Sequence, residues 1–530
     1  MRLVPVLAAA VLLAAACSSD DDTASDDRTA TTTAATTEPT TAATEPAATT
    51  TATSEPTPTT TVPAPTTTTT TLPADPLLVA TQLGAVRGTT SAVDGVRAFL
   101  NIPYAEPPVG PLRFAPPVTR SAWPDELDAS ESGASCPQTM EGITAQFLVT
   151  PDWDDDCLSL SVWAPDGAEG LPVMVWFHGG GLTTGSAHEP YYIGDQLAAR
   201  GTVVVNVNYR LGALGFLDGN WGFLDQVEAL DWVQDNIAGF GGDPGRVTIF
   251  GESAGGFSVC AHLATPQPGI FHQAIIQSGG GCNRLLSLDD ANAATAEVLA
   301  AVSCADLDCL RGLPTEDLLA IPFNATLIND KATLDRTAFE LARAGELPDR
   351  PTMTGFNADE STLFTVGLDE PTDDQLVELA AGFVDDPEAI VALYPPDGFE
   401  TNLARYRALS TDLSFGCSAI AFADAAPGTY VYYLSYVSPS TPFDLGATHG
   451  AELAYLFGHP EGLTILEPSL EGDDQTVSEL VQAAWVEFAT TGSPGWEPYD
   501  RASGGGVMEI DGGLTFVDTI RDGRCEARLG

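Results

Sequence analysis

Ten residues, Val247-Thr248-Ile249-Phe250-Gly251-Glu252-Ser253-Ala254-Gly255-Gly256, constrain this chain more than any other stretch of similar length. The β-branched run reads as a strand, the Gly-x-Ser-x-Gly as a sharp turn, and the small residues after it as the opening of a helix. Glycines on both sides let the backbone reverse without a Cβ collision. The turn lifts the Ser253 hydroxyl to the head of a helix. There the first N–H groups have no partner within the helix and can face a developing negative charge. A five-residue pattern of common residues is a weak signal alone, so its companions decide what it means.

The first companion is Leu171-Pro172-Val173-Met174-Val175-Trp176-Phe177, a buried-strand pattern that ends in His178-Gly179-Gly180-Gly181. Consecutive glycines after a core strand expose backbone N–H groups that no side chain screens. The loop suits an oxyanion hole built from Gly180, Gly181 and the N–H of Ala254. A serine nucleophile also needs a base, and the chain has 6 histidines. His178 belongs to the glycine loop, and His188 follows it closely. His262 lies about 13 Å of helical rise from Ser253 and cannot swing back. His272 opens the run Phe271–Gly279 at the end away from the catalytic edge. Of His449 and His459, the first sits in a loop, Gly446-Ala447-Thr448-His449-Gly450, between a strand-like run (429–436) and a helical one (451–457). That loop lets an imidazole reach a site from a strand's end, so His449 is the expected base. The third group must orient the imidazole. After the apolar run 351–356 come Asn357-Ala358-Asp359-Glu360, where either carboxylate can serve. The order nucleophile, acid, base is that of the α/β hydrolases rather than of the two common serine-protease orders.

From about residue 77 to the C-terminus the chain resembles the type-B carboxylesterase and cholinesterase family. The resemblance is carried in order by Phe99-Leu100-Asn101-Ile102-Pro103-Tyr104-Ala105-Glu106-Pro107-Pro108-Val109-Gly110, Leu112-Arg113-Phe114 and Asp156-Cys157-Leu158-Ser159-Leu160. Then come Asn208-Tyr209-Arg210-Leu211-Gly212-Ala213, Asn236-Ile237 with Phe240-Gly241-Gly242-Asp243-Pro244, and the Gly-Glu-Ser-Ala-Gly-Gly turn. It implies an α/β-hydrolase fold, with a large, mostly parallel central sheet covered by helices on both faces. It also implies a serine carboxylesterase with a Ser253–Glu360–His449 triad, the acid falling on Glu360 because the family loop resembles Gly-x-Asn-x-Asp-Glu. The oxyanion donors become Gly180, Gly181 and Ala254. Glu252 matches a family carboxylate beside the nucleophile, and a buried structural acceptor is its other reading. Arg113 and Asp155 match a structural ion pair. Cys136–Cys157 matches a family disulfide, Cys304 and Cys309 resemble a second, and Cys417 and Cys525 a third with a looser match at Cys525. Cys260 and Cys282 are left either as a fourth bridge or as buried free thiols.

The expected reaction is acyl transfer through Ser253 to water, with no metal or organic cofactor; no Cys/His cluster suggests a metal site. A small-molecule ester is the expected partner, and short-to-medium acyl esters of uncharged alcohols the expected substrates. Choline esters fit less well. Trp153 stands too near Cys157 to match the family's choline-binding tryptophan, and the stretch around Phe323–Asp330 departs from the aromatic acyl pocket of that branch. A lipase is the alternative enzyme, and the loop 137–156, with Phe147, Leu148, Val149 and Trp153 among four aspartates, is ambiguous as a lid. A non-catalytic surface adhesion protein is the other alternative, though such relatives lack a triad residue. The oligomeric state has no readable signature.

Residues 1–76 are of another kind. An apolar run, Leu3–Ala16, ends Leu13-Ala14-Ala15-Ala16-Cys17-Ser18, a lipoprotein-type signal (1–17) in which Cys17 would carry the lipid; Ala14 and Ala16 also suit ordinary secretory cleavage. Residues 18–76, rich in Thr, Ala and Pro, have too little apolar surface to offset chain entropy and read as a disordered stalk with a reach of about 45 Å. The catalytic domain is 77–530. With 73 acidic against 21 basic residues and a net charge of −52, nucleic-acid binding is excluded, and membrane attachment would rest on the lipid alone. The charge reads first as an acidic secreted surface, and secondarily as a field that steers cations.

Overall fold

A computed structural model of the protein describes residues 75–139, 152–265, 269–441, 444–463, 468–503, 506–518 and 520–525. The signal segment with Cys17, the stalk up to residue 74, and Phe147, Leu148 and Val149 lie outside the described residues.

The strands of the main sheet are β1 (Thr89–Thr90), β2 (Val96–Pro103), β3 (Ser159–Pro165), β4 (Leu171–Phe177), β5 (Val203–Val207), β6 (Gly242–Glu252), β7 (Gln273–Gln277), β8 (Thr352–Asn357), β9 (Tyr430–Leu434), β10 (Val507–Ile510) and β11 (Leu514–Val517). They form an 11-stranded sheet in the order β11-β10-β9-β8-β7-β6-β4-β5-β3-β2-β1. From β5 to β10 all neighbours run parallel, and the antiparallel pairs are confined to the two flanks. A separate 3-stranded sheet joins Leu78–Ala80, Ala85–Arg87 and Leu127–Asp128. The helices used below are α1 (Trp221–Asn236), α2 (Ala254–Ala264), α3 (Asn402–Thr411), α4 (Cys417–Ala425), α5 (Ala451–Phe457) and α6 (Asp473–Thr491).

Side chains alternate along these strands, so each strand feeds two cores. Val173, Val175 and Phe177 of β4 join Phe223, Leu230 and Val233 of α1 and Val259 and Leu263 of α2 on one face. Met174 and Trp176, one residue out of phase, join Leu453 and Leu456 of α5 and Val481, Trp485 and Phe488 of α6 on the other. This burial on both faces explains why the strands read as continuous apolar runs. The α/β-hydrolase architecture implied by the resemblance is thus the one found, with a mixed rather than uniformly parallel sheet.

The connections fix where a site can form. The chain leaves β4 toward β5 on one side, and leaves β6 toward β7 on the other. Phe177 and Gly251, at the ends of β4 and β6, are register partners. The crevice above them is a topological switch point, where open α/β sheets place their ligands.

Four disulfides are formed: Cys136–Cys157, Cys260–Cys282, Cys304–Cys309 and Cys417–Cys525. Of the two alternatives for Cys260 and Cys282, the bridge is the one observed. Arg113 and Asp155 form the expected ion pair at long range. Arg113 Nη2 stands 3.8 Å from Asp155 Oδ1, and Thr315 relays the contact by accepting from Arg113 at 2.8 Å and donating to Asp155 at 2.9 Å. No helix among the described residues is long and apolar enough to cross a membrane.

Candidate active site

Ser253 closes the turn between β6 and α2 at φ 56° and ψ −119°, a backbone region that side-chain-bearing residues avoid. Its surroundings hold it there. A Cβ on Gly255 would lie 1.9 Å from the carbonyl oxygen of Phe177, and one on Gly251 would lie 2.6 Å from the carbonyl of Gly255. Only glycine lets α2 approach β4 this closely. The Ser253 amide donates to Gln277 O at 2.9 Å, which ties the turn to the end of β7.

The glycine loop lies directly over this turn. A Cβ on Gly179 would stand 2.8 Å from Glu252 Oε2 and 3.3 Å from the Ser253 Cβ. Gly180 and Gly181 follow with φ of 102° and 64°. Gly180 O accepts from the amides of Thr183 and Thr184, so its turn is closed on itself. His178 is buried beneath, stacked on Tyr209 at 4.4 Å, and the Tyr209 hydroxyl donates to His178 O at 2.7 Å. Ala254 is buried as the first residue of α2, among the helix's unpaired N–H groups.

His449 Nδ1 hydrogen-bonds Glu360 Oε2 at 2.5 Å, and both residues are buried. The other Glu360 oxygen accepts from Ser278 Oγ at 2.6 Å and from the Asn357 amide at 2.8 Å. Asp359 takes a different part: its Oδ2 accepts from the Ala447 amide at 3.1 Å, and its own amide donates to Ala447 O at 2.9 Å. The choice that the local residues leave open is therefore resolved in space, with Glu360 on the imidazole and Asp359 clamping the loop that carries it. On the far side of the ring, Nε2 stands 3.0 Å from Glu252 Oε1, yet these two buried atoms lack a hydrogen-bond partner. Since Glu252 directly precedes Ser253, the structure gathers Ser253, Glu360, His449 and the glycine loop in one place.

The remaining histidines are engaged elsewhere. His188 lies 3.3 Å from Ser159 Oγ, His262 faces Gln226 at 3.2 Å, His272 accepts from the Val247 amide at 3.2 Å, and His459 pairs with Asp195 at 2.6 Å. His178 and His188 are pushed down to about 4 by burial and stay neutral at neutral pH. Among the described residues, the one cluster with metal-ligand spacing is Asp412, Cys417 and Cys525, whose two sulfurs are joined in a disulfide.

Burial raises the pKa of Glu252 to about 8. Burial also opposes the His449 imidazolium, but the carboxylates of Glu252 and Glu360 outweigh it and hold this histidine above its ordinary value. Glu452, raised by burial, sits one layer behind and accepts from Asn357 Nδ2 at 2.6 Å. Two phenylalanines flank the ring, Phe364 at 4.9 Å and Phe415 at 5.0 Å between centroids. Phe415 belongs to a π-turn, Asp412–Gly416, between α3 and α4. A clasp from the chain's end holds that turn. Arg521 pairs with Asp412 and donates to Ala358 O at 2.7 Å, while Cys525 is bonded to Cys417. Ser278, Phe415 and Arg521 carry no local motif and reach the site from other parts of the chain, while Glu452 belongs to the His-Gly-x-Glu pattern of residues 449–452 and Phe364 follows Glu360 by four residues.

A pocket lies beside α2 and the segment that follows β7. Its walls include Phe257, Gly280, Ser414, Leu327 and Leu334. Phe257 is one turn along α2 from Ser253, and Ser414 precedes Phe415.

A profile described as the Carboxylesterase family matches residues 75–526. The chain belongs to the carboxylesterase family. Among relatives, it is 36% identical over 457 residues to the para-nitrobenzyl esterase of Bacillus subtilis (strain 168), covering 79% of this chain and 91% of that protein. It is 36% identical over 473 residues to a cocaine esterase of Oryctolagus cuniculus, covering 79% and 88%. Among solved structures, a PNB esterase aligns with a TM-score of 0.77 and 34% identity, covering 85% of this chain and 99% of that one. As a member of the carboxylesterase family, the protein is a serine hydrolase acting on carboxylic esters.

Proposed function

We propose that Ser253 is the nucleophile, His449 the base, and Glu360 the group that orients and charges it, in the hydrolysis of short-to-medium acyl esters. One observation carries this reading: His449 is held by Glu360 at 2.5 Å on one nitrogen, while its other nitrogen lies 3.0 Å from Glu252, the residue that enters the strained turn at Ser253. His449 Nε2 takes the hydroxyl proton as Ser253 Oγ bonds to the ester carbonyl carbon. The oxyanion is met by the N–H groups of Gly180, Gly181 and Ala254, each worth about 10²–10³ in rate. His449 then gives the proton to the leaving alkoxide, and water releases the acid from Ser253 by the same steps in reverse. The names of the two relatives, for para-nitrobenzyl and cocaine, support small carboxylic esters.

The test is turnover of chromogenic esters from acetyl to palmitoyl by the disulfide-bonded protein, together with covalent labelling by a fluorophosphonate. The expected result is a rate maximum at short-to-medium chains and a label on Ser253. A rate that jumps above the solubility limit of long-chain esters would make the enzyme a lipase, and absence of turnover and label would refute the reading. The same reading includes export and attachment through a lipid on Cys17, supported by the small residues before it. The mass of the mature N-terminus checks that.

Glu252 leads to a pH prediction. Above about pH 8, where Glu252 ionises, its carboxylate favours the imidazolium form of His449, itself raised to about 9, and only neutral His449 can accept the serine proton. Removing that charge lowers the His449 pKa, so Glu252→Gln should move the acid limb of the kcat/KM–pH profile to lower pH. An unmoved limb would mean that Glu252 does not act on His449.

A further inference from the structure

The bond between Cys260 and Cys282 joins two parts of the site's framework. Cys260 lies on α2, two turns beyond Ser253, and Cys282 ends the segment 278–282 that leaves β7. Three of this segment's five residues, Ser278, Gly280 and Cys282, have positive φ of 47°, 62° and 53°. Such a backbone persists only where its surroundings over-determine it. Residues 279–281 are glycines and have no side chains to anchor. They are glycines for a reason: a Cβ on Gly279 would come within 2.9 Å of the Gly256 carbonyl carbon, and Cβ atoms on Gly280 and Gly281 would meet the Ser414 and Ser418 carbonyl oxygens at 2.7 and 2.8 Å. On another side the segment borders the open cavity, where packing is incomplete. What fixes its start is the Ser278 amide on Gly355 O at 2.9 Å. What fixes its end is the Phe339 amide on Cys282 O at 3.1 Å and the disulfide itself.

The side chain at the start of this segment is the Ser278 hydroxyl, 2.6 Å from Glu360 Oε1. We propose that the Cys260–Cys282 disulfide is a positioning bond for catalysis: by tying the glycine segment to the nucleophile's helix, it keeps Ser278 on Glu360 and so keeps Glu360 on His449. The inference rests on the reading of Glu360 as the orienting acid. It assigns to the bond a role beyond general stability, exerted through one hydroxyl.

A double-mutant cycle tests it, using the full disulfide-bonded protein and a soluble short-chain chromogenic ester. Ser278→Ala should lower kcat by about tenfold, since a hydrogen bond to a buried carboxylate is lost, with little change in KM. Cys260→Ala/Cys282→Ala should lower kcat severalfold, again with KM held. The triple variant should be no slower than Ser278→Ala alone, because both changes remove one interaction. Losses that multiply in the triple variant would overturn the proposal. So would parental kcat in the cysteine variant with only its Tm reduced. Should that variant not fold, Cys260→Val/Cys282→Ala keeps the buried volume and completes the cycle, and an unchanged kcat in Ser278→Ala overturns the proposal without any cysteine change. A parent with no Ser253-dependent turnover would sink the esterase reading itself, and is seen before any cysteine is altered.

Discussion

Ser253→Ala is expected to lower kcat/KM on a soluble acyl ester by about 10⁴-fold or more, and His449→Ala to lower it comparably. The two act as one unit, because the hydroxyl attacks only as its proton leaves. The double variant should therefore be no slower than either single one. A residual rate above the uncatalysed reaction should survive in all three, since the proposed donors Gly180, Gly181 and Ala254 are left unchanged. Ser253→Ala should cost little stability: the residue is half-buried, and the turn is set by the glycines around it. Steady-state kinetics with a matched thermal melt checks both statements. Activity within about a hundredfold of the parent would mean that another group performs the attack.

The second large effect is expected at Glu360→Gln, a loss in kcat of about 10³–10⁴-fold. The shape of the side chain is kept, so the loss comes from charge and from proton placement. Ser278 Oγ and the Asn357 amide both donate to Glu360 Oε1. A glutamine here must turn its oxygen toward those donors and its NH₂ toward His449 Nδ1. That nitrogen would have to accept, which puts the ring proton on Nε2, the atom that must receive the proton from Ser253. The imidazolium formed during attack would also lose its neighbouring charge. Asp359 cannot substitute, because it is committed to the loop at Ala447. A kcat within tenfold of the parent would move the orienting role away from Glu360. Ring-proton NMR of His449 in the variant would show the tautomer directly.

Much of this site is legible in the sequence because its chemistry sits on short local signals. The turn at Ser253 is written in the five-residue pattern Gly251–Gly255, and the strand before the glycine loop is observed over the same residues, Leu171–Phe177, that the apolar run marks. His449 follows from eliminating four histidines by their placement and from preferring the loop 446–450, between a strand-like and a helical run, over His459. What is not legible is whatever the sheet order brings together. Ser278 meets Glu360 only because β7 and β8 are parallel neighbours. Phe364 and Phe415 become a pair of walls only once α3, the π-turn and α4 are folded over the strand ends. Asp359 and Glu360 are adjacent in sequence and chemically alike, and it takes the path of the 446–450 loop to send one to the backbone and the other to the ring. Cys260 and Cys282 have no spacing that announces a bridge; their meeting depends on how α2 packs on the end of β7.

The clasp formed by Arg521 and Cys525 has a consequence for how the protein is made. Arg521 holds the carbonyl of Ala358, two residues before Glu360, and the π-turn that presses Phe415 on His449, while Cys525 bonds the helix after that turn. Every one of those partners is translated before it. A growing chain can therefore pair β4 through β9 and raise Ser253 on its turn while the acid and the histidine's wall are still unsecured. Competence therefore waits for residues 521–525, and a chain cut before them has the nucleophile but not the clasp that secures the acid and the histidine's wall.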